Sequence, residues 1–210
     1  MSSCCGCDVD TKALQAEQRR VLKIVLGINI ATCVMVVAAA LYSDSSSLLS
    51  GGLDNFGDAL TYALSLAVVG GTLAAKSRIA VLKGALILGA ALAVGVRIIW
   101  GVAHPGVPIV EAMSIACVLN LIANGLCLRL LTPYRFGDVN LASAWECSRN
   151  DIYEGLAVFA ASGAVWIFNS HWPDIAVAAV LLVLFVSSAF RVFRAALDGL
   201  RDAKTQAASA

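Results

Sequence analysis

The chain is short of charge. Of its 210 residues only 14% are charged while 60% are hydrophobic, a balance that excludes a soluble globular domain and runs too long for a single membrane anchor. With 15 Lys and Arg against 14 Asp and Glu the net charge is +1, so there is no basic tract and no case for a nucleic-acid partner. The short alternating segments of a transmembrane barrel are missing, and no internal repeat suggests an inverted-repeat transporter. The start is not expected to act as a secretory signal. The first apolar run follows a polar segment of about twenty residues and continues at full spanning length.

What is present is a series of long apolar runs. About 20 apolar residues cross the hydrocarbon core as a helix. Six runs of that kind fall at Val21 to Tyr42, Leu48 to Ala75, Ile79 to Gly101, Ile109 to Leu131, Trp145 to Phe168 and Ile175 to Phe193. The expected fold class is all-α: a polytopic membrane protein whose bundle of six transmembrane helices occupies residues 21–195. A Cys-containing tail over residues 1–20 and a short tail over residues 196–210 flank it.

Positive charge sets the expected topology. Lys12, Arg19, Arg20 and Lys23 precede the first run, Lys76, Arg78 and Lys83 cluster between the second and third, and Arg129 and Arg135 follow the fourth. The opposite connections, near Ser43 to Ser47, His104 to Pro108 and Asn169 to Asp174, contain no Lys or Arg. The positive-inside rule then places both termini in the cytoplasm of a bacterial-type inner membrane. In the turn at Ser43 to Ser47, the hydroxyls and Asp44 are expected to cap the second helix, and Trp172, Pro173 and Asp174 the sixth. Trp100 and Trp172 read as interfacial anchors, and His104 and His171 as loop residues without a specific role.

Against this background three carboxylates stand out. Asp54 and Asp58 lie inside the second run and Asp151 opens the fifth. A charged side chain at the centre of a membrane helix costs about 2.5 to 3.5 kcal/mol on insertion scales, so the default reading of such residues is an ion or proton pathway. Residues four apart share a helix face, so Asp54 and Asp58 can point at one centre. Cys147 and Asp151 repeat that spacing, with Asn150 and Glu154 on the adjoining part of the face. Two helices each giving such a pair can build a tetrahedral site of oxygen and sulfur donors, which suits Zn²⁺. Magnesium or calcium would call for more oxygens and no thiolate. Desolvated carboxylates and thiols hold protons that metal binding must remove, so metal and protons should compete. The bland alternative is a packing network in which Arg97 or Arg149 neutralises the acids. Cys33, Cys117 and Cys127 read as small packing residues.

Ser45-Ser46-Ser47-Leu48-Leu49 followed by Asp54-Asn55-Phe56-Gly57-Asp58-Ala59-Leu60 resembles the second helix of the cation diffusion facilitators, where a serine-rich entrance precedes a (His or Asp)-x-x-x-Asp pair. Cys147-Ser148-Arg149-Asn150-Asp151 stands where that family usually carries His-x-x-x-Asp, and Asn120 and Pro173-Asp174 look like further shared features. The resemblance covers roughly residues 20 to 200. It implies proton-coupled export of a divalent metal by a homodimer, with Asp54, Asp58, Cys147 and Asp151 as ligands, protons as counter-ion and no resident cofactor. Two departures accompany it. Cys147 replaces histidine and softens the site, which bears on preference among Zn²⁺, Cd²⁺, Co²⁺, Fe²⁺ and Mn²⁺. The cytoplasmic ferredoxin-like domain of many members is expected to be absent.

Two other functions compete. Cys4-Cys5-Gly6-Cys7 contains Cys-x-x-Cys, which allows a metal-capturing tail, a lipidated anchor or a membrane thiol oxidoreductase, although none of these explains the three aspartates. Metal uptake through the same site is the other alternative.

Overall fold

The computed structural model describes residues 11–67, 73–136, 139–187, 190 and 194. Within these, six α-helices follow one another: α1 (Thr11–Ser43), α2 (Ser46–Ala67), α3 (Leu73–Ala103), α4 (Val110–Leu131), α5 (Val139–Phe168) and α6 (Trp172–Ser187). No strand occurs among the described residues, and the expected all-α polytopic architecture is the one found. Stretches of α1, α3, α4 and α5 are each long and apolar enough to cross a membrane. The described part of α6 is shorter, and α2 is the polar member of the set because it carries Ser46, Ser47, Ser50, Asp54, Asn55 and Asp58.

Helix ends depart from the sequence expectation where the breaking signal is weak. α1 begins at Thr11, ten residues ahead of the expected span, and α5 at Val139, six ahead, because polar residues outside the apolar run do not stop a helix. Thr132–Tyr134 form a single 3-10 turn with Pro133 in its first positions, which ends α4. Asp44 and Asn169 adopt left-handed backbone (φ 61 and 46) just beyond α1 and α5. Asp and Asn tolerate that region best after glycine. The amide of Ser45 reaches back to the carbonyl of Ala40 at 3.1 Å, closing the end of α1.

Packing produces three layers along the bundle axis. At the end bearing the serine turn, Val36, Ala40, Leu48, Met113, Val158 and Leu181 form one buried apolar cluster. At the opposite end, which carries Arg19, Arg20, Arg129 and Arg135, Leu22, Val25, Tyr62, Leu131, Leu141 and Ala144 form a second. Between them lies a polar layer in which Asn29, Asn55, Asp58, Asn120, Asn124, Ser148 and Asp151 are all buried. α6 packs beside α2 and α3 through Leu53, Ala91, Val94, Leu182 and Phe185. The outer faces are apolar: Leu41, Leu92, Ile99, Ile122 and Trp166 are exposed, as lipid-facing side chains are in a membrane bundle.

The serine-turn end is tied by polar groups. Asp174, in the first turn of α6, is 1% exposed and reaches across to the start of α2. Its carboxylate accepts from Ser45 Oγ at 2.6 Å, Ser46 N at 2.7 Å, Ser47 N at 3.1 Å and Ser47 Oγ at 2.6 Å. The expected caps are thereby corrected. Asp174 serves α2 rather than only its own helix, because a carboxylate gains most where two helix N-termini, both electropositive, meet. Asp44 does not cap α2 either. It pairs with Arg97 of α3, and Ser45 Oγ accepts the Leu48 amide at 3.1 Å instead. A backbone bond of 2.8 Å from Ile109 N to Ser43 O attaches the approach to α4.

Candidate metal site

The polar layer is built mainly by α2, α4 and α5. On α2 the i, i+4 spacing sets Asp54 and Asp58 on one face, and Tyr62 extends that face by a further turn. The Tyr62 hydroxyl donates to Asp58 Oδ2 at 2.7 Å and lies 3.4 Å from the carbonyl of Ala144 on α5. On α5 the same spacing aligns Cys147 with Asp151. The two helices pack against one another, and Asp54, Asp58, Cys147 and Asp151 come within electrostatic range of one another.

All four expected ligands therefore come to one polar layer. Among the described residues no three His, Cys, Asp or Glu side chains gather tightly enough to hold a metal ion. Glu154, one turn beyond Asp151, lines a cavity of about 10 Å³ with Asp54, Asn55, Asn120, Asn124 and Asp151. Asn150, expected beside Glu154, is exposed instead. A residue one position before Asp151 sits about 100° around the helix from it.

The arginine-neutralised network is not the arrangement adopted. Arg97 is bound to the Asp44 side chain and to its carbonyl at 3.0 Å. Arg149 pairs with Glu146 at 2.5 Å and lies 5.2 Å over the ring of Trp145. Cys117 and Cys127 are buried packing residues as expected, with Cys117 Sγ donating to the carbonyl of Gly155 at 3.1 Å. Gly155 lets α4 and α5 pack closely: a Cβ at this position would lie 2.7 Å from Leu121 Cδ2 and would push that side chain aside. His104 is exposed and stacks on Trp100 at 3.9 Å between ring centroids. Cys4, Cys5 and Cys7 lie outside the described residues.

Three contributors went unassigned in the sequence reading. Tyr62 continues the Asp54, Asp58 spacing and was available from periodicity alone. Asn55 donates to Asn120 Oδ1 at 2.9 Å, joining α2 to α4 beside the acids. Asn124, four residues after Asn120, shares its face, and the signal was again an i, i+4 repeat of polar residues in an apolar run.

The model of the cation efflux transmembrane domain matches residues 22–200, nearly the whole chain. The protein belongs to the cation efflux family. Its members are transporters rather than enzymes, and the resemblance to cation diffusion facilitators carried by the Asp54 and Asp151 motifs is thereby established as membership. No curated protein matches the chain. As a cation efflux protein it is a multi-pass membrane transporter of metal cations, and the paired donors of α2 and α5 lie in its matched region.

Proposed function

We propose that this cation efflux protein exports a divalent metal, Zn²⁺ first, from the cytoplasm in exchange for protons, with Asp54, Asp58, Cys147 and Asp151 as the ligands. The supporting observation is the packing of α2 against α5 with Asp54, Asp58, Cys147 and Asp151 in one polar layer between two apolar clusters. Three oxygen donors and one thiolate suit tetrahedral Zn²⁺, with each helix contributing one i, i+4 pair. Closing the pairs around an ion requires α2 and α5 to approach by a small rearrangement.

The same contacts supply the proton side of the exchange. Carboxyl and thiol groups withdrawn from water hold protons that an arriving metal must displace, so metal and protons compete for Asp54, Asp58, Cys147 and Asp151. Metal entering from one side releases protons, and protons arriving from the other release metal. Tyr62 orients Asp58, and Asn55 with Asn120 fixes the spacing of α2 and α4 beside the site. The basic end faces the cytoplasm in this reading, and a homodimer is held through the membrane helices.

Zinc flux in proteoliposomes under an imposed pH gradient tests the reading. We expect gradient-dependent flux in the parent protein and loss of at least about a hundredfold in Asp58→Ala and Asp151→Ala, since each removes a ligand outright. Unchanged flux in either variant would refute the assignment of that residue.

A further inference from the structure

Asn124 on α4 poses an unmet chemical requirement. Its side chain is wholly buried, and neither Oδ1 nor Nδ2 has a hydrogen-bond partner in the protein. Buried amides in folded proteins nearly always find partners, because an orphaned donor or acceptor bears its full desolvation cost. Asn124 borders the 10 Å³ cavity, and Asp151, which borders it too, has a buried Oδ2 that is equally unpartnered. The neighbouring amide, Asn120, is already engaged through the 2.9 Å bond from Asn55, so it does not meet the need of Asn124.

Chemistry identifies the occupant. It must accept a hydrogen bond from Asn124 Nδ2 and donate to Asn124 Oδ1 or to Asp151 Oδ2. A bare cation would satisfy the oxygens but would be repelled by the N–H groups. Water does both, and the cavity is about the size that one water requires, with the two to four polar partners that hold it.

We propose that Asn124 anchors a water molecule against Asp151 and that this water joins the transported metal as an additional oxygen ligand; the second half rests on the metal-export reading above. Asn124 is then a positioning residue that acts on selectivity. Three carboxylates and a thiolate alone favour Zn²⁺ and Cd²⁺. One more oxygen raises both the coordination number and the hardness of the site, and so admits Mn²⁺, Fe²⁺ and Co²⁺.

The experiment uses the purified full chain in lipid nanodiscs and compares the parent with Asn124→Leu, which is similar in size but apolar, and Asn124→Ser, which keeps a donor and an acceptor. Radiolytic hydroxyl labelling read by mass spectrometry reports the water without any metal. Cys117 and Val158 line the cavity at 2% and 3% exposure, so an internal water is the source that can label them. We expect labelling in the parent, protection in Asn124→Leu and recovery in Asn124→Ser. Absence of labelling in the parent, or equal labelling in all three, would overturn the water.

Competition binding with Zn²⁺, Co²⁺ and Mn²⁺ then reads the metal half. We expect Asn124→Leu to lose about tenfold in Co²⁺ and Mn²⁺ affinity relative to Zn²⁺, the scale on which outer groups tune metal sites. Equal loss for every metal would mark Asn124 as structural and overturn the selectivity role. A parent protein that binds no divalent metal would overturn that role together with the export reading, while the labelling result decides the water by itself.

Discussion

Asp58 illustrates how much of a membrane carboxylate's behaviour is decided by the one group it touches. The Tyr62 hydroxyl holds Asp58 Oδ2 at 2.7 Å, which selects one orientation of the carboxylate. Removing that donor in Tyr62→Phe leaves the ring in its apolar cluster but frees the carboxylate to rotate. We expect Zn²⁺ affinity to fall about tenfold with folding unchanged, measured by competition titration alongside thermal unfolding. An unchanged affinity would mean that the phenol only fills space. At this scale the sequence was highly legible. The i, i+4 repeats at Asp54, Asp58 and at Cys147, Asp151 carry their own geometry, because a helix places such residues on one face whatever surrounds it. What they do not carry is how closely the two faces approach, and Asn124 acquires its meaning only from the cavity behind it.

Among the elements, α2 and α6 depend on each other. A single buried carboxylate, Asp174, takes four hydrogen bonds from the first residues of α2, two of them from backbone amides left open by the helix start. We expect Asp174→Ala to destabilise the protein by about 3 kcal/mol or more, since charge-assisted bonds to a buried group are among the stronger ones. Asp174→Asn should recover part of that loss. Thermal unfolding in detergent checks both, and a change near zero for the alanine variant would contradict the joint. This link was not visible in the sequence. Asp174 stands 129 residues from Ser45, and local capping rules assign it to the helix it begins. The expected first and fifth runs match the apolar spans of α1 and α5, while the helices themselves begin earlier, because apolar length marks where a helix crosses lipid, not where its hydrogen-bonded ladder begins.

Across the whole molecule, an apolar perimeter encloses one polar layer, and the ends differ in charge. If the basic end faces the cytoplasm, Ser170→Cys, in the connection between α5 and α6, should react with a membrane-impermeant maleimide added to intact cells. Phe136→Cys, just beyond the 3-10 turn at the other end, should gain label only after lysis. The reverse pattern would invert the proposed direction of transport. The six-helix class was recoverable from the apolar runs because a bilayer leaves helices few alternatives. The layering was not, since it arises from which face of each helix meets its neighbours.

The ties at the serine turn have a mechanical consequence. Asp174 binds α6 to α2, Arg97 binds α3 to the turn through Asp44, and Ile109 binds the approach to α4 through Ser43. If the protein works by alternating access, each opening of that end must undo some of these ties, whereas the far end is joined by packing around Tyr62 and Leu131 and by side-chain bonds such as Tyr134 to Glu17 and Trp145 to Thr132. On that reading the opening stroke at the serine end is expected to carry the larger activation barrier, because it breaks bonds to a buried carboxylate.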